Sequence, residues 1–115
     1  MKYDLEERSS KFGEAVISFL KDLPKNEITI PFINQVVRSA TSIGANYAEA
    51  NYAGSKKDFQ NKISISTKES NETKYWFRML AKAVPENKEK CEEFWTEAHE
   101  LTLIFSTIRK KSLKN

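Results

Sequence analysis

The stretch RSATSIGANYAEANYAGSKKDF, from Arg38 to Phe59, has the period of a helix with most of its bulk removed: Ala, Ser, Gly and Thr stand where Leu or Ile would fill a core. Such a helix suits a partner that is equally slim, because the two backbones can then approach more closely than the usual ~8–10 Å. The sequence supplies that partner. Phe59, Ile63, Ser66, Ser70, Thr73, Phe77 and Leu80 recur at steps of four and three, large at the ends and small in the centre. Ile33, Val36, Val37, Ala40, Gly44, Tyr47 and Ala48 give the preceding helix the same profile, large at its start, nearly bare in its middle and aromatic at its end. These two helices are expected to run antiparallel and to form the waist of a bundle.

Working outward, Ser55 and Asp58 form a capping box ahead of Phe59, so Gly54 closes the second helix and Ser55 opens the third, which runs to about Ala83. Pro85 breaks the chain, and Cys91, Phe94, Ala98, Leu101, Phe105 and Ile108 form the stripe of a fourth helix. At the other end, Asp4 and Glu7 read as a capping box that starts the first helix, and Leu5, Phe12, Val16, Phe19 and Leu23 are its apolar stripe as far as Pro24. The connector PKNEITIP is the one long loop, with Pro31 suited to a first helical position. Tight turns at two of the three connections make sequential helices antiparallel neighbours. The expected fold is all-α: one domain over residues 1–115, an antiparallel up-and-down four-helix bundle.

Composition narrows the function classes. Cys91 is the single cysteine and His99 the single histidine, so an intramolecular disulfide and a structural zinc site are both excluded. The N-terminal MKYDLEERSSKF is charged where a signal peptide is apolar, and no apolar run approaches membrane-spanning length. A cytoplasmic protein with no membrane partner and no cofactor is expected. The net charge is +3, yet RKKSLKN, residues 109–115, carries four of the 19 basic residues and no acid. The remainder holds 15 basic residues against 16 acidic ones, a body at −1. Arg109, Lys110, Lys111 and Lys114 therefore form a basic C-terminal end that can meet an anion such as RNA, or else a solvated helix end.

Arg38, Ser42, Asn46 and Glu49 step by four, four and three along helix two, and Glu69, Glu72 and Trp76 do the same on helix three. Antiparallel packing sets Arg38 level with Glu72 and predicts an ion pair between them. Arg38, Asn46, Glu49, Glu69 and Glu72 are read as a structural polar network fixing register or a subunit contact. Catalysis or metal binding by these carboxylates would need the Glu-x-x-His pairs of di-iron bundles, which the chain lacks. His99 has no arginine a turn or so before it, as helix-bundle ribonucleases require, and Cys91 lies too far round the helix to pair with it. Ile65, Trp76 and Met79 make a second apolar stripe on helix three and Trp95 adds to it, a surplus that predicts self-association through these four residues. Base stacking on the outlying aromatics is the alternative use for them.

RSATSIGANYAEA, GSKKDF and KISISTKESNETKYWFRML, in that order and spacing, resemble the four-helix-bundle proteins encoded within 23S rRNA intervening sequences, a group often labelled a ribosomal protein family. The likeness covers Phe32 to Leu80, while helices one and four agree in length and pattern. It implies an up-and-down bundle, a ring-like homopentamer, no established enzyme activity, and kinship with the accessory protein of diversity-generating retroelements, which partners a reverse transcriptase and RNA. The chain departs from the commonest pattern at Ala50, where many relatives carry Gly, and at TKES, where many carry Gly-Ser. The sequence thus points to a non-catalytic oligomeric binding or scaffold protein with RNA or an RNA-handling protein as partner. A protein adaptor that never touches nucleic acid is the second reading, and an unrecognised enzyme the third.

Overall fold

The computed structural model describes residues 2–114, with side chains from Leu5 onward. Four helices follow one another, α1 (Lys2–Lys21), α2 (Thr29–Asn51), α3 (Lys56–Ala83) and α4 (Lys88–Lys114), with a single 3₁₀ turn at Pro85–Asn87 between the last two. α3 packs along both α2 and α4, and α1 closes against α2. The result is the expected up-and-down four-helix bundle, 47 Å long and 22 by 20 Å across.

Helix ends follow local chemistry. Ser55 accepts a hydrogen bond from the Asp58 amide at 3.0 Å, the predicted cap of α3. α2 starts earlier than expected, at Thr29, because Asn26 Oδ1 accepts from the amides of Ile28 and Thr29 while Thr29 Oγ1 accepts from the Asn26 amide. This reciprocal pairing has the logic of a capping box built on Asn and Thr. Pro31 is thus the third helical residue, still within the turn whose amides lack helical partners. α1 ends at Lys21, and Lys25 turns its ammonium back onto the carbonyls of Leu20, Lys21 and Leu23 at 2.7–3.0 Å. Gly54 does not close α2: that helix stops at Asn51 with tightened bonds from Tyr52 and Ala53, and no glycine has a positive φ among the described residues. The capping box read at Asp4 falls on a side chain outside the described ones, and α1 begins ahead of it.

The core is continuous through all four helices. On α3 and α4 the buried residues are those of the predicted stripes, with Phe59 and Ile108 half-buried at the margins. α2 differs. Ser39, Ile43 and Ala50 are buried while Gly44 and Ala48 lie at the flank, so its middle is filled by Ile43 and is not bare. Gly44 instead faces α1, where an added Cβ would stand 3.4 Å from the backbone of Ser9. α1 also buries Ser9, Gly13 and Leu20 beyond its predicted stripe.

Small residues at the waist carry hydroxyls, and every buried one has a partner. Ser66 Oγ donates to the Ile43 carbonyl of α2 at 3.0 Å. Thr73 donates to Ser39 across the α2–α3 seam, and Ser39 passes its own proton to the Gln35 carbonyl. Thr102 of α4 donates to Ser70, which donates to the Thr67 carbonyl. These relays join three helices where larger side chains would hold them apart, and they leave no buried side-chain polar atom unpaired among the described residues.

Candidate nucleic-acid interface and polar network

Because α4 remains helical to Lys114, the basic C-terminal residues are held on a rigid rod and not on a loose tail. Arg109 Nε donates to Ser64 Oγ at 2.9 Å, and Gln60 Nε2 donates to the Ser112 carbonyl at 3.0 Å. Both contacts fall in the opening turns of α3, so the antiparallel register brings Lys56 and Lys57, one turn before Gln60, to the same end of the bundle. Lys56, Lys57, Arg109, Lys110, Lys111 and Lys114 are all exposed there, and no described carboxylate forms an ion pair with any of them. Of the acids at this end, Glu49 bridges Lys62 at 2.7 Å and Glu6 accepts from Asn51 at 2.8 Å, while Asp58 stands exposed beside Lys57 in the first turn of α3. Tyr52 projects from the α2–α3 turn of this end at 86% exposure, an open aromatic face beside the cations. Sequence reasoning missed Lys56 and Lys57, which only the register between α3 and α4 brings to the tail; Tyr52 is one of the outlying aromatics for which base stacking is the alternative use.

Midway along the bundle the polar strip divides. Arg38 pairs Nη2 with Glu72 Oε2, sets Nη1 3.1 and 3.3 Å from the two oxygens of Glu69, and donates from Nε to Gln35 at 3.0 Å. Trp76 Nε1 donates to the same Glu72 oxygen at 2.8 Å, and its ring packs on Phe32 and Tyr75. Asn46 and Glu49 stand outside this group: Asn46 donates to the Ser42 carbonyl of its own helix, and Glu49 holds Lys62. A second clamp was not anticipated. Arg8 of α1 makes two 2.7 Å hydrogen bonds to Glu97 and one of 2.8 Å to Glu100 on α4, and the bond to Glu97 is the main cause that raises its guanidinium above its ordinary value.

Met79 and Trp95 line one cleft between α3 and α4, Ile65 lies 37% exposed farther down α3, and Trp76 is half-covered by its aromatic neighbours. His99 stacks on Trp95 and turns Nδ1 to the Lys74 ammonium at 3.1 Å, a geometry in which Nδ1 accepts. Cys91 is 1% exposed, and burial, with Glu92 adding, pushes its thiol up to about 11, away from the thiolate that nucleophilic chemistry needs. No group of three or more metal-ligating side chains gathers among the described residues.

Residues 1–107 match the family profile of the 23S rRNA-intervening sequence protein. The chain belongs to that family. The intervening-sequence protein match extends well beyond Phe32–Leu80 into α1 and α4, and it stops two residues before Arg109, so the four tail cations lie outside it. The crystal structure of a protein with unknown function from the S23 ribosomal protein family of Bacteroides thetaiotaomicron is similar over 91% of this chain and 97% of its own, with 33% identity and a TM-score of 0.82. No curated protein matches the chain. This intervening-sequence protein shares its bundle with that neighbour, whereas its four tail cations lie beyond the matched residues.

Proposed function

We propose that this intervening-sequence family member is a non-catalytic, self-assembling binding protein that holds RNA, or an RNA-handling complex, at its basic end. The carrying observation is the cluster of six exposed cations from the start of α3 and the end of α4, without an ion-pair partner among the described carboxylates and at the same end of the bundle as Tyr52. Cations on two rigid helices track a phosphate backbone without reading its sequence, and an exposed aromatic ring offers a stacking platform for a base. Assembly into a ring, a homopentamer by the family resemblance, would repeat the site around an axis and turn weak contacts into avidity. Cytoplasmic residence belongs to the same reading, and no described helix is long and apolar enough to cross a membrane.

The adaptor reading draws on a different observation, the apolar cleft between α3 and α4 at the other end of the bundle. One experiment separates the two. Tagged protein recovered from its native cell at moderate salt should carry RNA that ribonuclease releases. Recovery of a protein partner with no nucleic acid would overturn the RNA reading in favour of the adaptor.

A further inference from the structure

At the end of the bundle opposite the basic cluster, α3 and α4 part to leave a cleft of about 790 Å³. Met79, Ala81 and Trp95 give it apolar walls, and Arg78, Lys82 and Lys88 line its rim, with Glu92 the one acid, 4.0 Å from Lys88. Arg78 and Lys82 are one helical turn apart, both exposed and without an ion-pair partner among the described residues, an arrangement of like charges that costs stability unless an anion joins them. The same chain carries a protrusion of the opposite character. In the α1–α2 turn Glu27 is exposed and has no ion-pair partner among the described residues, Ile28 is 63% exposed, and Ile30 in the first turn of α2 is 44% exposed.

Two geometric facts relate the protrusion to the cleft. The contacts Phe32–Trp76, Arg38–Glu72, Ser39–Thr73 and Ile43–Ser66 fix the register between α2 and α3, and continuing it upward puts Ile30 and Ile28 level with Met79 to Lys82. In the helix order α1, α2, α3, α4, the α1–α2 turn and the α3–α4 cleft belong to opposite edges of the bundle. A protrusion and a cleft at one height on opposite edges meet when copies are related by rotation about an axis along the bundle. We propose that Glu27, Ile28 and Ile30 of one copy seat in the α3–α4 cleft of the next, a head-to-tail contact. Isoleucines meet the Met79 and Trp95 walls, and Glu27 meets Arg78 and Lys82. This assignment rests on the self-assembly proposed above, and its consequence is that every basic end projects from the same face of the assembly. A head-to-tail contact has two unlike halves, each of which can be disabled alone.

The test is light scattering coupled to size exclusion on the intact chain, with circular dichroism to verify that each variant is folded. The double variant Ile28→Asp/Ile30→Asp loses the protrusion and keeps the cleft; Met79→Lys does the reverse. Each alone should run at the mass of a single chain, and a mixture of the two should give a species of twice that mass and nothing larger. Lys82→Glu should weaken assembly, and Glu27→Lys added to it should restore assembly. A wild-type chain that is itself monomeric overturns the self-assembly reading and this interface with it. A wild-type oligomer whose size survives Ile28→Asp/Ile30→Asp overturns this interface alone, as does a mixture that stays monomeric.

Discussion

Replacing Ser70 by leucine probes the waist where three helices are joined by hydroxyls. Ser70 is fully buried on α3, accepts from Thr102 of α4 at 3.0 Å and donates to the Thr67 carbonyl at 2.9 Å. Leucine adds two branch carbons at a site without open space, which costs about 1–3 kcal/mol by overpacking. The lost acceptor adds little, because Thr102 keeps the Ala98 carbonyl of its own helix at 2.8 Å. The expected loss is therefore about 1–3 kcal/mol. An unfolding entropy of about 2.1 cal/mol/K per residue over 115 residues amounts to about 0.24 kcal/mol/K, so the thermal midpoint should fall by about 4–12 °C. Calorimetry at one fixed protein concentration measures this, since any assembly makes the midpoint depend on concentration. Ser70→Ala should cost about 1 kcal/mol or less, and Lys68→Leu, exposed on the same helix, should shift the midpoint only slightly. A midpoint for Ser70→Leu equal to or above that of the wild type would refute the claim that small residues set the helix spacing here.

Other consequences follow from particular contacts. Arg38→Met and Glu72→Gln, combined in a double-mutant cycle, should show coupling above about 0.5 kcal/mol, because the introduced glutamine still accepts from Trp76 but no longer balances the guanidinium; strict additivity would dissolve the network. Gly13→Ala should stabilise the protein by up to about 1 kcal/mol, since the new Cβ would find Thr41 at 3.6 Å, ordinary contact, within a helix interior; a lower thermal midpoint would contradict this. The Cys91 thiol keeps its proton up to about 11 in the folded chain and releases it at its ordinary value, near 9, in the unfolded one. The unfolded state is thereby favoured as pH climbs between those values, so stability should fall there more steeply in the wild type than in Cys91→Ala, as denaturant titrations across that range would show.

Much of the fold could be read in the sequence because α3 and α4 each bury a narrow arc, and one stripe of steps three and four describes such an arc completely. α2 was harder because its small residues do not all lie on its buried face: Gly44 turns to α1 while Ser39, Ile43 and Ala50 are buried, so the expected stripe misses those three. The start of α2 lies ahead of its expected place because Asn26 and Thr29, whose pairing begins it, stand before the proline that marks the expected boundary. Of the polar strip, only the residues at a common level of the α2–α3 seam, Arg38 of α2 and Glu69 and Glu72 of α3, come together. The Arg8 clamp joins residues 89 and 92 positions apart, and no local pattern announces such a pairing. Lys56 and Lys57 read as ordinary helix-start solvation until the register sets them beside the tail.

The central claim is that the six-cation end binds RNA, and the dependence of that binding on salt tests it most directly. Fluorescence anisotropy of a labelled single-stranded RNA, measured across a salt series, gives the logarithmic slope of affinity, about 0.7 for each phosphate contact on a single strand. Substitution of Arg109, Lys110, Lys111 and Lys114 by glutamine preserves the helix and removes four contacts, so the slope should flatten by up to about 2.8. Lys56→Gln with Lys57→Gln should flatten it further, by up to about 1.4. The account predicts binding at low salt that weakens stepwise through these variants while the circular dichroism spectrum stays unchanged. Failure of the wild-type protein to bind at low salt, or equal salt slopes for all three proteins, would contradict it.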